Sequence, residues 1–204
     1  MDLVDGLPAF TWLDGTDVPA HTRDGGVLAV TAGPRTDRFA DPAGADAVAN
    51  APVVAAPAGR GGLTATVACD GTAQFDAAAL YALAGDDWAK LALERNPAGE
   101  QMLVTVVTNG VSDDCNHRVV APAGAAVTVR LRLTVVGDGS FAAHVEEGGR
   151  WELLRYFGLR RAKAEPDVVR LGLSAQSPLG EGCTATFAAL SWSTDVPADL
   201  RDGS

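Results

Sequence analysis

The sequence predicts an all-β protein in which antiparallel strands form a two-sheet β-sandwich, and three observations favour this fold. Short segments rich in Val, Leu and Thr alternate apolar with polar residues, which is the pattern of a strand that buries one face. Clusters of Gly, Asn, Asp and Pro separate these segments at a spacing of roughly 8–12 residues, which is typical of sandwiches. Only residues 159–164 suggest a helix, and that helix would be short.

Residues 75–109 predict three consecutive strands, and the rest of the chain is organised around them. Residues 77–84 are rich in Ala and Leu, which favour a helix by propensity, but a helix there would have little to pack on. We therefore predict a strand, followed by a turn at residues 85–87. Residues 102–108 are rich in β-branched side chains and predict the third strand, which a turn at residues 96–99 joins to the second.

The second of these strands has one polar and one apolar face. Trp88, Lys90 and Glu94 fall on one side of it, and Leu91 and Leu93 fall on the other. The leucines predict which face is buried, because a slip of one residue would bury both charges without partners. On this interpretation Lys90 is exposed, and its replacement by Ala would change stability by no more than about 1 kcal/mol.

Further strands and one long loop are predicted in the rest of the chain. We interpret residues 34–62 as a surface loop with a short extended piece at Val53 and Val54, and the residues after Val196 as a frayed tail. The remaining predicted strands cover residues 7–12, 27–31, 63–67, 119–121, 127–135, 141–145, 151–157, 168–173 and 184–192.

Composition and charge disfavour several classes of protein. The net charge is −10, which argues against nucleic acid or an anionic membrane surface as partner, because both attract basic proteins. No apolar run approaches the roughly 18 residues of a membrane-spanning helix, and residues 1–6 do not resemble a signal peptide. These features predict a cytoplasmic protein that forms a single domain over residues 1–204, with a core at about residues 7–195.

The cysteines and sequence motifs indicate no cofactor. Cys69, Cys115 and Cys183 are odd in number and lack CxxC spacing, so in a cytoplasmic protein they predict three free thiols. No dinucleotide-binding glycine motif, P-loop or Gly-x-Ser-x-Gly nucleophile occurs in the chain.

A resemblance to a known family is carried by three groups of residues. These are Leu80-Tyr81-Ala82 with Asp87-Trp88, Lys90, Glu94, residues 103–110 and Ser112-Asp113; the loop Thr36-Asp37 with Phe39 and Asp41-Pro42; and Gln176-Ser177-Pro178 with Phe187. From about Phe10 to Trp192 the chain resembles the DUF1349 family, whose members are similar to YesU-like bacterial proteins and to a yeast regulator of enolase. The resemblance implies a concanavalin A-like lectin/glucanase-type sandwich, or jelly roll, and it implies this fold more strongly than any activity.

The polar sheet face is the candidate binding site. A Trp with charged neighbours can stack on a sugar ring while the charges bind its hydroxyl groups. The alternative is an ordinary solvated face on which the charges form cross-strand ion pairs. The candidate ligand-binding residues are Tyr81, Trp88, Lys90, Glu94, Arg130, Arg132 and His144.

Signals for catalysis and for metal are weak. Sandwich glycanases use a Glu-x-Asp-x-x-Glu strand that supplies two carboxylates, and the nearest match here, Glu165-Pro166-Asp167, has Arg170 where the second Glu is needed. Hard oxygen ligands or a His–Cys pair could bind Ca²⁺ or Zn²⁺, although a solvated polar loop explains the same cluster more simply. Its members are Asp113, Asp114, Asn116 and His117.

Three functions follow from these candidates. The first is a non-catalytic module that binds a carbohydrate or another small polyhydroxylated ligand on the polar sheet face. The second is a sugar-active lyase or isomerase on the same face, with Glu94 or His144 as base and Lys90 as electrostatic stabiliser. The third is a protein-interaction or regulatory domain without a small ligand. A pocket with a pKa-shifted Glu94 would favour the second, and a shallow groove the first.

Overall fold

The computed structural model describes residues 7–13, 19–44 and 47–204, and within them strands dominate. The one α-helix of the described residues is short, as predicted, and is followed by a 3₁₀ turn at Pro166–Val168. No helix in the described residues is long and apolar enough to cross a membrane. The elements are β1 (Thr11–Trp12), β2 (His21–Asp24), β3 (Val27–Ala32), β4 (Arg38–Phe39), β5 (Val48–Ala49), β6 (Val53–Pro57), β7 (Gly61–Cys69), β8 (Ala77–Ala84), β9 (Asp87–Arg95), β10 (Gln101–Thr108), β11 (Ser112–Ala121), β12 (Val129–Gly137), β13 (Ser140–Glu147), β14 (Arg150–Gly158), α1 (Arg160–Ala164), β15 (Val169–Gln176) and β16 (Cys183–Ser193).

Fourteen of these strands form two antiparallel seven-stranded sheets, which confirms the predicted sandwich. Sheet A has the order β1-β6-β15-β8-β9-β10-β11, and sheet B has the order β14-β13-β12-β7-β16-β3-β2. The predicted three-strand unit is β8, β9 and β10, which lie side by side in sheet A. Its two hairpins close through Gly85 and Gly99, whose positive φ values of 58° and 83° suit glycine.

The main hydrophobic core lies between the two sheets. Sheet A contributes Leu80, Leu91 and Leu93, which are fully buried, and Leu91 and Leu93 are the residues that were predicted to point inwards. Ala-rich β8 is a strand despite its helix propensity, because β15 and β9 pair with it along its whole length and both of its faces are buried. Backbone pairing and burial outweigh propensity here.

The outer face of sheet A, which points away from this core, is also largely buried. Val53, Tyr81, Leu83 and Trp88 form a second apolar cluster on it with small alanines. A third cluster contains Met102, Val104 and Val106, against which Phe39 packs. Loops therefore cover much of this face, and it is not the solvated surface that strand alternation suggested.

The expectation that residues 34–62 form one long surface loop is wrong, because their described part contains β4, β5, β6 and the first two residues of β7. The extended piece expected at Val53 and Val54 is the start of β6. β6 pairs with both β1 and β15 as an integral part of sheet A, and Val53 to Ala56 are buried. A run that is buried on both faces lacks the apolar–polar alternation of a half-exposed strand, which is why its sequence resembled a loop.

The end of the chain packs on the outer face of sheet B, where we expected a frayed tail. Arg132 donates a hydrogen bond of 2.9 Å to the Gly203 carbonyl, and its guanidinium lies 4.3 Å from the centre of the Trp151 ring. His144 Nε2 lies 2.7 Å from the Leu200 carbonyl oxygen. These polar contacts fix a segment that has little apolar character in its own sequence.

All three cysteines are free thiols in the structure, as predicted. Cys183 is buried and donates a hydrogen bond of 3.1 Å from Sγ to the Gln176 carbonyl, whereas Cys69 and Cys115 are partly exposed.

We predict that a thiol reagent titrates about three equivalents in the denatured, unreduced protein, the number of cysteines in the chain. In the native protein Cys183 should react last, because its hydrogen bond with Cys69 and its burial raise the pKa of its thiol, and burial also restricts access. A reduced and desalted sample is the control. One equivalent in the unreduced denatured sample would reveal a disulfide and contradict the prediction.

Candidate functional site

A cavity of about 930 Å³ opens on the outer face of sheet A. Strands β9, β10 and β11 form its floor, and the loops that contain Asp37, Phe75, Pro97 and Pro178 form its walls. The charged and polar residues that line it are Asp37, Asp41, Lys90, Glu94, Asn96, Asp114, Asn116, His117, Arg118 and Gln176. The apolar lining residues are Phe39, Phe75, Pro97, Met102, Val106, Val119, Pro178 and Leu179.

Strand register places the key side chains in two rows across the sheet. The first row runs Tyr81, Lys90, Val106 and Asp114 on adjacent strands. The second row, four residues further along β9, runs Gln176, Ala77, Glu94, Met102 and Val119. Lys90, Glu94 and Asp114 therefore point to the same side of sheet A, with the small side chain of Ala92 between Lys90 and Glu94.

Lys90 is buried and held by two partners. Its Nζ donates hydrogen bonds of 2.9 Å to Asp37 Oδ1 and of 2.9 Å to Gln176 Oε1. Burial by itself would lower the pKa of Lys90, but Tyr81, Asp37 and Glu94 outweigh it, so the pKa is raised and the ammonium stays charged. The expectation of an exposed Lys90 is wrong, because the loop that carries Asp37 covers it and leaves it 3% exposed.

Glu94 is the second buried charge-bearing group, and it differs from Lys90 in having no partner. Its side chain is only 6% exposed, and no described residue donates a hydrogen bond to its carboxyl. Burial raises the pKa of Glu94 from 4.5 to about 8; Lys90 opposes this rise, and Asp114 and Asp37 add to it. At neutral pH the cavity therefore contains a largely protonated carboxylic acid.

The four residues of β11 that were weak candidates for metal binding lie in different environments. Asp113 forms an ion pair of 2.6 Å with Arg155. Asp114 and Asn116 line the cavity, and burial raises the pKa of Asp114. His117 also lines the cavity, with Nε2 2.9 Å from Thr105 Oγ1, and burial, together with Arg155 and Arg118, lowers its pKa. Among the described residues no three His, Cys, Asp or Glu side chains are grouped as metal ligands.

The structure brings together only part of the predicted seven-residue face. Lys90 and Glu94 line the cavity. Tyr81, whose pKa burial raises to about 12, and Trp88 lie beside it, in the buried apolar cluster of the same face, and Trp88 is only 7% exposed. Neither ring is available for stacking on a ligand.

The other three residues belong to sheet B, so the prediction that all seven share one face is wrong. Arg130 and Arg132 lie on β12 and His144 on β13. Arg130 forms an ion pair of 3.0 Å with Glu146, and Arg132 and His144 hold the C-terminal segment. Alternation within a strand identifies its polar side but not the sheet to which the strand belongs.

The sequence interpretation missed Asp37, Gln176 and the aromatic walls Phe39 and Phe75. All four lie in or next to loops that reach sheet A from distant parts of the chain, and Asp37 is 53 residues from Lys90. One signal was present, since residues 36–42 and 176–178 belong to the segments that carry the family resemblance. That signal marked the segments without assigning them a role.

The fold and the cavity define a concanavalin A-like β-sandwich with a pocket on the outer face of one sheet. The chain belongs to the DUF1349 family: the model of this family, described as a protein of unknown function, matches residues 16–195. No curated protein matches the sequence.

Solved structures share this fold at low sequence identity. A functionally unknown protein from Saccharomyces cerevisiae is 23% identical with a TM-score of 0.74, and the match covers 92% of this chain and 97% of that one. The carbohydrate-binding module CBM66 from Bacillus subtilis is 14% identical with a TM-score of 0.54, over 92% and 96% of the two chains. A prokaryotic β-1,3-1,4-glucanase (lichenase) derived from a mouse hindgut metagenome is 10% identical with a TM-score of 0.53, over 91% and 93%.

Proposed function

We propose that the cavity on sheet A binds a small polyhydroxylated ligand of saccharide type. The observation that carries this proposal is Glu94, a buried carboxyl without a protein partner that faces an open cavity. Burial of an unpaired polar group destabilises a fold, so such a group is expected where a ligand supplies the missing hydrogen bond. A cavity of about 930 Å³ lies within the usual size range of small-molecule sites.

The lining of the cavity suits a sugar. Glu94, Asp114 and Asn116 offer donors and acceptors on the floor, while Phe39 and Phe75 offer apolar rings on the walls. Sugar hydroxyls need several directed hydrogen bonds, and the apolar faces of sugar rings pack on aromatic side chains. The shared fold with a carbohydrate-binding module and a glucanase supports this ligand class by analogy.

A second candidate function is a sugar-active enzyme that uses Glu94 as general acid or base. The specific observation in favour of this function is that the pKa of Glu94 is raised to about 8, because an efficient acid–base group titrates near the working pH. His144 is no alternative base, since it lies in sheet B beneath the C-terminal segment. Turnover of a bound saccharide that Glu94→Gln abolishes without loss of binding would support this function.

A ligand screen by thermal shift with mono- and oligosaccharides tests the binding function, because a ligand of the native state raises the melting temperature. For a saccharide that binds, Asn116→Ala should weaken affinity about five- to tenfold, the usual effect of losing one hydrogen bond. Arg130→Ala on sheet B is the matched control and should bind normally. Normal binding by Asn116→Ala together with loss in Arg130→Ala would place the ligand on the other sheet.

A further inference from the structure

The positive charges of the cavity are already matched by protein carboxylates. Lys90 lies 2.9 Å from Asp37 Oδ1. Arg118 pairs with two glutamates at the edge of the sandwich, at 2.9 Å from Glu147 and 2.7 Å from Glu152. These ion pairs leave neither cation free to attract an anionic ligand, so a phosphate or carboxylate group would meet no unmatched positive charge among the described residues that line this cavity.

The acidic groups of the cavity are not matched in the same way. Asp114 accepts a hydrogen bond from the backbone N–H of Cys115, and Asp41 Oδ1 accepts one of 2.7 Å from the backbone N–H of Ala43. Neither forms an ion pair with a described residue. Glu94, which is more than nine-tenths buried, has neither a hydrogen-bond donor nor an ion pair among the described residues. The groups of the cavity that lack a partner of opposite charge are therefore acidic, and they are chiefly Glu94 and Asp114.

We propose that the ligand of this cavity carries a protonated amine, which binds the carboxyl group of Glu94, as the amino group of an amino sugar would. This inference rests on the proposed function and specifies its ligand class. An ammonium group donates three hydrogen bonds and would give the Glu94 carboxyl the charged partner that the described residues do not supply, whereas a neutral hydroxyl would give it a hydrogen bond only. Asp114 lies in the other row, two strands from Glu94 across β10, and lines the same cavity, so its charge favours a cation there although the two carboxyl groups do not share a row.

The charged and titratable groups around Glu94 predict how binding responds to pH. Lys90 on its own strand, Asp114 on β11 and Asp37 on the covering loop act on Glu94. Of these, only Lys90 is positive, and Asp37 is hydrogen-bonded to it. An ammonium ligand favours the ionised form of Glu94, so its binding at neutral pH releases a proton, and affinity should rise by up to about tenfold per pH unit below pH 8. A neutral sugar that uses protonated Glu94 as a donor would bind with nearly constant affinity below pH 8 and more weakly above it.

Isothermal titration with five probes tests the inference: glucose, N-acetylglucosamine, glucosamine, 6-amino-6-deoxyglucose and cadaverine, at pH 6.0 and pH 7.5. We expect the two amino sugars to bind at least about tenfold more tightly than glucose and N-acetylglucosamine, a difference of one charged hydrogen-bonded contact. Titration in two buffers of different ionisation enthalpy should show proton release. Glu94→Gln should remove the preference for the amine and the pH dependence, and Glu181→Gln, at an exposed position outside the cavity, should retain both.

The possible outcomes separate this inference from the proposed function. Equal or tighter binding of glucose or N-acetylglucosamine overturns the inference that the ligand carries an amine, and it leaves the proposed saccharide-binding function in place. Binding of cadaverine as tight as that of the amino sugars, with the same dependence on Glu94, supports the amine and overturns the polyhydroxylated ligand class. Absence of binding by all five probes overturns both proposals. An amine preference that survives in Glu94→Gln also overturns the inference, because a different group would then hold the amine.

Discussion

Replacing Glu94 with glutamine is expected to stabilise the protein at neutral and alkaline pH. Glutamine resembles the protonated carboxyl in shape and carries no charge, so the variant avoids the ionisation of a buried group that has no partner. Burial raises the pKa of Glu94 from 4.5 to about 8 in the folded protein. At 1.36 kcal/mol per pKa unit, this difference corresponds to up to about 5 kcal/mol, a large fraction of the 5–15 kcal/mol stability of a typical domain.

The pH dependence of this effect has a definite sign. Below pH 4.5 Glu94 is protonated in both the folded and the unfolded chain, so it contributes no pH dependence. Between pH 4.5 and about 8 the unfolded chain loses this proton while the folded protein keeps it, so the free energy of unfolding falls as pH rises. Above about pH 8 both states are ionised and the effect levels off. The advantage of Glu94→Gln over the wild type should therefore grow from pH 4 to pH 8.

Urea unfolding of wild type and Glu94→Gln at pH 4, 6 and 8 measures this effect. Glu181→Gln makes the same chemical replacement at an exposed position and serves as the matched control, with an expected change within about 0.5 kcal/mol. A Glu94→Gln variant that is less stable than the wild type at pH 8 would contradict the prediction. It would mean that the Glu94 carboxylate is stabilised by hydrogen bonds in the folded protein.

Replacing Lys90 with alanine is expected to lower the free energy of unfolding by about 3–5 kcal/mol, the usual cost of breaking a buried ion pair. The ammonium donates to both Asp37 and Gln176. Its removal leaves the Asp37 carboxylate with the backbone N–H of Arg38 and Gln176 Oε1 with the Tyr81 hydroxyl at 3.4 Å, so the Asp37 charge loses its positive partner. The value should lie at the lower end of this range, because the Asp37 side chain is 20% exposed and keeps some contact with water. This expectation replaces the change of about 1 kcal/mol that an exposed Lys90 would give.

A double variant tests whether the cost comes from the orphaned partner. Lys90→Met with Asp37→Asn removes both charges and keeps most of the side-chain volume, so it should lose less stability than Lys90→Ala alone. Arg161→Ala, which breaks an exposed ion pair of 2.9 Å with Glu165, is the control and should change stability by no more than about 1 kcal/mol. If Lys90→Ala is as stable as Arg161→Ala, the Lys90–Asp37 contact contributes little and the covering loop is not fixed by it.

The sequence by itself determined the fold class and the orientation of side chains within each strand. Period-two alternation in residues 88–95 placed Leu91 and Leu93 on one face and Lys90 and Glu94 on the other, and the structure has them so. Alternation is a local property, because successive side chains of any strand point to opposite sides whatever its neighbours are. The same local signal failed for β6, where burial on both faces removed the alternation.

Only the tertiary structure decided which polar residues meet and how deeply they are buried. Arg130, Arg132 and His144 show the same alternation as Lys90, yet they lie in the other sheet, because pairing between distant strands assigns each strand to its sheet. The Asp37 loop, 53 residues away from Lys90 in the chain, turned a predicted surface lysine into a buried ion pair. The raised pKa of Glu94 has the same origin. It depends on the water that distant loops exclude and not on the residues beside Glu94 in the sequence.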